Sequence, residues 1–594
     1  MQKNKIEKWN LEDIIANDKW QEYFDGAKKE IDKKVPEWWV KMEPLMDTKV
    51  FQKIEEEMEE LGDKLRRLGS LPDLQLSLNS KNQEATKTKS QVADLFLDYN
   101  QKVRKISHFL MGKKVPGKKR LDEKNAKRLF QSIMDLEYQL NYSRKAAKYV
   151  LSQKEEEVVD NKDVSGITVL EDLRGIIENE FTFRFKPVGK KEKIIKTQGE
   201  LLSYTHSPRK IEREAAYRSL FKKQEENIEK FFLIYQAAVK NWDYEAKIRG
   251  YTSPINMRNF ANQIPDRAVE ALISVCQKER GIFGEYFKYK AKMLGVKKLN
   301  RFDIYAPIKS KDKKVDLEEG VEIVLSAMGQ FCPGFKTRAE QIIKESHIDS
   351  EVKNNKRSGA FCSTVSPKVT PYILLNYDNK IRDVSTLAHE LGHGIHSLYS
   401  NSHYPSTQQA NLPLAETAST LAEMIVFERL YNLEKDKDIK RSLLADKIAD
   451  SYATILRQNY FIIFEKRAHE AVSRGITAKE LGLMWLETLR EQFDGSVEID
   501  PIFQFEWSYI PHIVESPFYC YAYNFGELLS YSLYAQYKKE GNSFVPKIET
   551  ILRSGGAEDP TEVLKKVGID ITSSCFWESS FDIIGGWQKI LMGL

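Results

Sequence analysis

Apolar residues recur at three- and four-residue spacing along much of the chain, which is the period of an α-helix with one buried face. One such stretch is 51–61, where the apolar residues on one side are Phe51, Ile54, Met58 and Leu61. The same pattern repeats in four further segments: 92–110, 124–149, 209–239 and 266–294. The sequence therefore predicts a mostly α-helical protein whose helices are long enough to pack as hairpins or bundles.

The domain organisation follows from what is missing between these helices. A length of 594 residues is enough for about three or four domains of ordinary size. However, the chain has only 19 prolines, and it contains no Gly/Ser-rich linker or low-complexity tract that would separate independent units. We therefore expect one large helical body, in which residues 1–200 form a loosely separable N-terminal helical region.

Two short segments rich in β-favouring residues interrupt the helical pattern. Residues 358–365 (SGAFCSTV) and 371–377 (PYILLNY) are joined by the turn-forming sequence SPKVT at 366–370. This arrangement predicts a β-hairpin. Helical spacing returns from about residue 384 and continues to the end, broken by the Pro- and aromatic-rich stretch 501–517.

The composition argues against several classes of function. The net charge is only +5, from 92 basic and 87 acidic residues, so nothing favours a nucleic-acid partner. No apolar run approaches the ~20 residues that a membrane helix needs. The basic N-terminal residues have no apolar stretch behind them, so we expect no secretory signal. Five widely spaced cysteines fit a reducing cytoplasm better than a disulfide framework.

Residues 383–398 combine metal-binding side chains with an apolar face. At 100° per residue, His389 and His393 lie about 40° apart and one turn apart, so both imidazoles can reach one ion. The apolar residues that cluster on the opposite side are Val384, Leu387, Leu391, Ile395 and Leu398. The histidine face must therefore look into solvent or a cleft.

A catalytic zinc ion needs a third protein ligand and one open position. We interpret 400–413 as a loop and predict a second helix from about Leu414. On that helix Glu416, Thr420 and Glu423 share one face, and the opposite face is apolar. Glu416 is the expected third ligand of one Zn²⁺ per chain. Glu423, two turns further on, can hold the second ring nitrogen of a histidine ligand.

Two neighbouring residues narrow the type of zinc site. A metzincin would need glycine at position 396 and histidine at position 399, whereas this chain has His396 and Tyr399. His396 lies on the ligand face, but a fourth protein ligand would close the open position. We therefore expect His396 to act outside the ligand set.

These residues can catalyse the hydrolysis of a peptide bond. Zinc activates a water molecule and polarises a carbonyl. Glu390 lies about 100° round the helix from His389, so it can accept the proton of that water and pass it to the leaving amine. Zinc binding alone does not require Glu390, and its presence therefore argues for catalysis.

The negative charge that forms on the carbonyl oxygen needs a hydrogen-bond donor besides the metal. His512, Tyr523 and Tyr519 are the candidates, and packing in the core is the alternative interpretation for all three. We predict that Ser516-Pro517 caps and begins a helix. Such a helix puts Tyr519 and Tyr523 on one face and turns Tyr521 away.

At this point the chain resembles a known family. The run Thr386-Leu-Ala-His-Glu-Leu-Gly-His, followed by Glu416-Thr-Ala-Ser, looks like the oligoendopeptidase F branch of the thimet-oligopeptidase-type zinc metallopeptidases. The supporting stretches are SGAFC at 358–362, LNY at 375–377 and HIVESPFYCYAY at 512–523. These motifs span about 360–530.

The resemblance implies a mostly α-helical, prolate bundle that encloses a deep substrate channel, with a small β-hairpin or sheet beside the zinc-binding helix. Residues 1–200 would form one channel wall, and 201–594 would be the catalytic zinc metallopeptidase domain. The implied activity is that of a zinc-dependent endopeptidase that hydrolyses internal bonds of short oligopeptides.

The resemblance also implies roles for individual residues. The zinc ligands would be His389, His393 and Glu416, with Glu390 as the catalytic base. An edge strand would pair with the main chain of the substrate through Gly359, Ala360 and Phe361. Which tyrosine of 519–523 contacts the oxyanion stays open.

Two alternatives remain at this stage. A helical zinc carboxypeptidase uses a similar motif but also needs a cation for the free carboxylate of its substrate, and the many arginines of this chain are compatible with that. A helical peptide-binding protein with a vestigial metal site is the second alternative, and the intact Glu390 argues against it.

Overall fold

The structure is a computed structural model that describes residues 8–16, 19–308 and 313–594. The described residues pack into two compact units that interleave along the chain. The segments that contribute to the first unit are Met1–Lys148, Lys313–Leu433 and Gln536–Ile569. Those of the second unit are Tyr149–Asp312, Glu434–Ala535 and Asp570–Leu594.

This interleaving differs from the division near residue 200 that the sequence suggests. In the first unit, Phe51 and Leu65 of the N-terminal helices belong to the same buried apolar cluster as Val365 and Tyr372 of the later hairpin. Helical spacing shows which side of a helix is apolar, but it does not show which distant segment covers that side. The separate roles of 1–200 and 201–594 stay a prediction.

α-Helices account for most of the described chain. The helices of the first half are α1 Trp20–Lys41, α2 Thr48–Leu78, α3 Gln83–Leu110, α4 Glu123–Phe130, α5 Met134–Ala146, α6 Gln153–Ser165, α7 Ile167–Asn179, α8 Gln198–Ser203, α9 Lys210–Glu226, α10 Ile228–Arg249, α11 Pro254–Ala261, α12 Asp266–Lys278 and α13 Gly281–Met293. The helices of the second half are α14 Leu317–Phe331, α15 Pro333–Lys344, α16 Ile381–Tyr399, α17 Leu412–Ala415, α18 Thr417–Leu433, α19 Lys437–Ser451, α20 Arg457–Arg474, α21 Ala478–Phe493, α22 His512–Glu515, α23 Tyr521–Glu540, α24 Val545–Arg553, α25 Pro560–Lys566 and α26 Ser574–Gly593.

The predicted amphipathic segments are helical, but three of the five are divided. The segment 51–61 lies within α2, which packs against α3, and 92–110 lies within α3. The stretch 124–149 is divided between α4 and α5, 209–239 between α9 and α10, and 266–294 between α12 and α13. At the first of these breaks, the Ser132 hydroxyl donates to the carbonyl of Leu129, and such local side-chain bonds compete with helix continuation.

Short strands form three small sheets. The strands are β1 Phe183–Phe185, β2 Lys193–Ile195, β3 Leu299–Asn300, β4 Ile348–Asp349, β5 Phe361–Ser363, β6 Tyr372–Leu374 and β7 Val497–Glu498. In the second unit, β1 pairs antiparallel with β2, and β3 pairs parallel with β7. In the first unit, β6 lies between β4, to which it is parallel, and β5, to which it is antiparallel.

The predicted hairpin is the β5–β6 pair, and a bridge between Ser366 and Val369 closes its turn. β5 also contacts α16, which carries the histidine motif. The mostly α-helical class with a small sheet beside this helix is therefore confirmed. Among the described helices, none combines the length and the apolar character that crossing a membrane requires.

Candidate active site

Two helices of the first unit meet beside the histidine motif, and the contact requires a glycine. α16 buries its apolar side, including Leu387 and Leu391. A Cβ at Gly392 would lie 2.5 Å from the Cα of Ser419 and 2.6 Å from the carbonyl oxygen of Ala418, both in α18. Glycine therefore lets the two backbones touch, and this contact brings the start of α18 to the histidine face of α16.

His389, His393 and Glu416 bring three potential ligand atoms together. The Nε2 atoms of the two histidines are 3.2 Å apart. Oε2 of Glu416 lies 3.5 Å from Nε2 of His389 and 3.4 Å from Nε2 of His393. Throughout the described ranges, this is the only cluster of three His, Cys, Asp or Glu side chains arranged to hold a metal ion.

The hydrogen bonding of His389 leaves a nitrogen lone pair for a metal. Its Nδ1 lies 2.5 Å from Oε1 of Glu423, which is the predicted contact. With the proton on Nδ1, the lone pair on Nε2 faces His393 and Glu416. Two imidazole nitrogens and one carboxylate oxygen form the protein part of a catalytic zinc site with an open fourth position. The residues present therefore fit a zinc ion.

The ligand cluster concentrates negative charge. Burial disfavours a charged His389 ring, but the hydrogen bond and charge of Glu423 outweigh it and raise its pKa to about 9. Burial also disfavours the Glu416 carboxylate, yet the hydrogen bond and charge of His393 lower its pKa to about 2. A proton on His389 or a metal cation can balance these carboxylates.

Glu416 lies at a break between two helices, whereas the sequence predicts that it lies within one continuous helix from about Leu414. It ends the single turn α17, which begins at Leu412 with Pro413 in its first turn, and it directly precedes α18. Oε2 of Glu416 accepts a hydrogen bond of 2.8 Å from the Ser419 hydroxyl. Ser419 is a further site residue that the sequence prediction does not include, although its position three residues after a ligand on the same face is a usable signal.

Glu390 lines a cavity of about 360 Å³ together with the two histidines. Its side chain is 6% exposed, and burial raises the pKa of its carboxyl group while His389 and His393 oppose the rise. Cys362 lines the same cavity, and burial together with the charge of Glu390 raises the pKa of its thiol. A protonated thiol is a poor nucleophile, so the raised pKa does not favour a nucleophilic role for Cys362.

His396 is buried next to the ligand cluster but does not belong to it. Burial and the neighbouring His393 lower the pKa of its ring to about 4, so the ring is neutral at physiological pH. The buried Nε2 atom of its ring has no hydrogen-bond partner among the described residues. His396 therefore lies beside the ligands without joining them, which agrees with its expected place outside the ligand set.

β5 is one of the two edge strands of its sheet within the described residues, and β4 is the other. Its register pairs Phe361 with Leu374 and Cys362 with Ile373. The N–H of Ile373 donates to the carbonyl of His347, on the β4 side of the sheet. Because successive residues of a strand direct their main-chain groups to opposite sides, the N–H and C=O of Leu374 face β5. By the alternation of an antiparallel pair, Phe361 directs its N–H and C=O toward β6, whereas Ala360 and Cys362 direct theirs toward the open edge.

The three predicted substrate-binding residues therefore differ in what they can offer. The carbonyl of Gly359 already accepts a hydrogen bond of 2.8 Å from the Asn376 side chain. The N–H and C=O of Phe361 face the neighbouring strand, so of the three residues Ala360 has main-chain groups at the open edge. The main-chain N–H and C=O of Cys362 also face that edge. The sequence pattern could not show this, because the alternation can be assigned only when the paired strand is known.

In the second unit, His512, Tyr519 and Tyr523 form one aromatic cluster. The Tyr523 hydroxyl lies 3.2 Å from Nε2 of His512. The ring centroids of Tyr519 and Tyr523 are 5.2 Å apart, and those of His512 and Tyr519 are 6.1 Å apart. Burial, with Arg174 adding to it and Glu515 opposing it, lowers the pKa of His512, which favours the neutral ring.

The predicted start of the helix at Ser516-Pro517 is wrong. His512 begins the single turn α22, a turn at 516–519 follows, and α23 begins only at Tyr521. The predicted grouping of side chains nevertheless holds. Tyr519 packs against Tyr523 from just outside the helix, while the buried Tyr521 points elsewhere and accepts a hydrogen bond of 2.8 Å from Asn262.

Comparison with known proteins finds relatives that align with nearly the whole chain. Residues 203–583 match peptidase family M3. An oligoendopeptidase F homolog from Lactococcus lactis subsp. lactis is 27% identical over 547 residues, which cover 88% of this chain and 86% of that protein. An oligoendopeptidase F homolog from Borreliella burgdorferi is 27% identical over 590 residues, which cover 98% of this chain and 97% of that protein.

Solved structures share the fold. A candidate peptidase from Chlamydophila abortus matches with a TM-score of 0.85 at 22% identity, covering 99% of both chains. Oligoendopeptidase-F from Enterococcus faecium matches with a TM-score of 0.70 at 20% identity, covering 97% of this chain and 99% of that one. The relatives confirm the predicted resemblance to the oligoendopeptidase F branch. Since the family match covers more than half of the sequence, this chain belongs to peptidase family M3 and is a metallopeptidase.

Proposed function

We propose that this chain is a zinc-dependent endopeptidase that hydrolyses internal bonds of short oligopeptides. The observation that carries the proposal is the convergence of His389, His393 and Glu416 within 4.8 Å of one another, with Glu390 on the same cavity. A zinc ion held by these three residues would supply Lewis acidity, which would lower the pKa of water and polarise the scissile carbonyl.

Glu390 serves as the general base and then as the general acid. Its carboxylate takes a proton from the attacking water and gives a proton to the leaving nitrogen. Burial raises the pKa of this carboxyl, and a raised pKa brings a carboxyl group closer to the neutral range in which such a proton shuttle works best. Glu423 holds the ring of His389 in the orientation that presents Nε2.

The substrate binds along the open edge of β5. The main-chain groups of Ala360 and Cys362 pair with an extended peptide, as an added strand would. Recognition of this kind reads the peptide backbone and not its side chains, so it supports cleavage of many short sequences. Ala360 and Cys362 also line the cavity that contains Glu390, which supports a bound strand beside the reacting groups.

His512 and Tyr523 supply the hydrogen bonds that stabilise the oxyanion. A phenol hydroxyl 3.2 Å from a half-buried imidazole forms a small donor cluster, and such donors act most strongly where water is excluded. Tyr519 packs against both rings and orients them. The kcat values of variants at Tyr523, His512 and Tyr521 test whether this cluster acts on the reaction.

Tyr523→Phe should lower kcat by roughly 10²-fold with little change in KM, because the lost donor acts only in the transition state. His512→Ala should also lower kcat. Steady-state kinetics on one fluorogenic peptide, with metal content determined for each variant, would measure both effects.

Tyr521→Phe is the matched control for this comparison. It deletes a hydroxyl from the same segment, and the donor of Asn262 loses its acceptor, so stability should fall by ~1–3 kcal/mol. Turnover should stay near that of the wild type. If Tyr521→Phe reduced kcat more than Tyr523→Phe, the assignment of the oxyanion donor would be wrong.

The proposed activity separates from its alternatives in one experiment. Peptides that are blocked at both ends should be cut at internal bonds, and mass spectrometry of the fragments would locate the cuts. Cleavage only at a free C-terminus would instead identify a carboxypeptidase. Binding without any cleavage by the metal-loaded protein would identify a peptide-binding protein.

We also propose a cytoplasmic location. All five cysteines are free thiols, which fits a reducing compartment. Fractionation of cells that carry a tagged chain would test this location.

A further inference from the structure

The turn at Ser516-Pro517-Phe518-Tyr519 has a residue in a conformation that its side chain disfavours. Phe518 has a φ of +58°, and the N–H of Tyr519 donates to the carbonyl of Ser516 at 3.1 Å. Proline at the second position and a positive φ at the third define a type II turn, which normally requires glycine or asparagine at the third position. A phenylalanine there is strained and persists only if its surroundings hold it.

Two side chains from other helices hold the central peptide of this turn. On one side, the N–H of Phe518 donates to Oε1 of Glu465 in α20 at 2.7 Å. On the other side, the carbonyl of Pro517 accepts a hydrogen bond of 3.0 Å from Nε of Arg258 in α11. Type I and type II turns differ by a flip of this same peptide. A flip would break both bonds, so the two side chains together fix the type II form.

Among the described residues, the one hydrogen bond of the Glu465 side chain is the bond to the Phe518 N–H. The side chain is completely buried, its second oxygen has no hydrogen-bond partner, and a buried carboxyl in this state is costly to keep. Burial raises its pKa to about 8, against the opposing effects of the Phe518 N–H and Arg258. The group therefore acts mainly as a hydrogen-bond acceptor, which a glutamine could replace.

The turn directly precedes the aromatic cluster. Tyr519 is its last residue, and the next backbone hydrogen bonds, from Ala522 to Tyr519 and from Tyr523 to Cys520, carry the chain into α23. The Phe518 ring is buried against His469, with ring centroids 4.6 Å apart, so the turn cannot shift as a rigid piece without losing that contact. The Pro517–Phe518 peptide therefore lies at the point where the chain leads into the two tyrosines that contact His512.

We propose that Glu465 and Arg258 are positioning residues of the reaction, which lock the Pro517–Phe518 peptide in its strained orientation and thereby hold Tyr523 and His512 in their working geometry. This inference rests on the proposed role of that cluster as oxyanion donor. Neither residue needs to contact the substrate.

The test is a double-mutant cycle between Glu465 and Tyr523. Glu465→Leu removes the acceptor and should lower kcat at least 10-fold while KM changes less than 3-fold. Glu465→Gln keeps an acceptor oxygen and should remain within 3-fold of wild-type kcat. In the Tyr523→Phe background, Glu465→Leu should cost less than 3-fold further, because the donor that it positions is already gone. Zinc content should be unchanged in all variants.

Arg258→Met provides the second route, since it releases the same peptide from the opposite side with an unbranched side chain. It also removes the guanidinium group that lies 5.1 Å from the Trp242 ring centroid. It should reproduce the loss in kcat and its dependence on Tyr523, and so tests the inference even if Glu465→Leu does not fold.

Three outcomes would overturn the inference. These are an unchanged kcat in a folded Glu465→Leu or Arg258→Met variant, a loss of equal size with and without the Tyr523 hydroxyl, or a Glu465→Gln variant as impaired as Glu465→Leu. If Tyr523→Phe itself kept wild-type kcat, the proposed function of the cluster would fail. A different result, in which Tyr523→Phe lowers kcat as expected but Glu465→Leu leaves kcat unchanged, would overturn only the positioning role.

Discussion

Glu390→Gln should retain the metal and lose nearly all hydrolysis. Glutamine preserves the size and shape of the side chain, but it cannot accept a proton at neutral pH, so the attacking water loses its base and the leaving nitrogen loses its acid. General acid–base catalysis contributes about 10²–10⁴-fold per group, and one carboxyl here serves both steps. We therefore expect kcat to fall by roughly 10³-fold or more.

The metal should stay because Glu390 is not part of the ligand cluster. Elemental analysis and steady-state kinetics on the same preparation would measure both properties together. Glu428→Gln is a suitable control, since it makes the same chemical change in α18 at a surface ion pair with Lys538. Glu428→Gln should leave kcat unaltered. A Glu390→Gln variant that kept a tenth of wild-type turnover would show that Glu390 is not the base.

Gly392→Ala should damage both stability and the metal site. The added Cβ would meet backbone atoms of Ser419 and Ala418 at 2.5 and 2.6 Å, and backbone cannot rotate away as a side chain can. α16 and α18 must separate, at a cost of ~1–3 kcal/mol for an overpacked contact. The separation moves Ser419, which bonds Glu416, so metal affinity should fall about 10–100-fold, as when an outer-shell partner is lost.

Two other glycines give graded controls for this effect. A Cβ at Gly394, in the same helix, would lie 2.6 Å from Cδ1 of Ile342, the end of a flexible side chain that can move aside. Gly26 in α1 has no atom within 4 Å of the added Cβ, and alanine there should be neutral or stabilising. Denaturant unfolding should rank Gly392→Ala below Gly394→Ala and Gly394→Ala below Gly26→Ala. Equal stabilities for Gly392→Ala and Gly26→Ala would contradict the close contact of the two helices.

The sequence determines the histidine half of the site because helical geometry alone places it. His389 and His393 are one turn apart, and the apolar residues of α16 lie opposite them, so period and spacing suffice. Glu423 could be predicted for the same reason, as its contact with His389 follows from the face that it shares with Glu416. The helical class and the hairpin likewise follow from local patterns.

The remaining features depend on contacts between distant residues. The turn before α23 takes a strained form because Glu465 and Arg258, which are remote in sequence, hold Phe518 and Pro517. The Ser516-Pro517 pattern alone therefore predicts a helix start that is too early in the chain, because α23 begins at Tyr521. The open groups of Ala360 and Cys362 depend on the register between β5 and β6. No pattern within one segment contains that information.

The zinc content of the wild type and of His393→Ala should be measured on protein that is purified without chelator and assayed on one blocked peptide. We expect one zinc per chain and internal cleavage for the wild type, and neither for His393→Ala. Treatment of the wild type with a chelator should abolish cleavage, and added Zn²⁺ should restore it. A wild-type protein that cleaved the peptide without metal, or a His393→Ala variant that still held one zinc per chain, would contradict the proposed zinc-dependent hydrolysis.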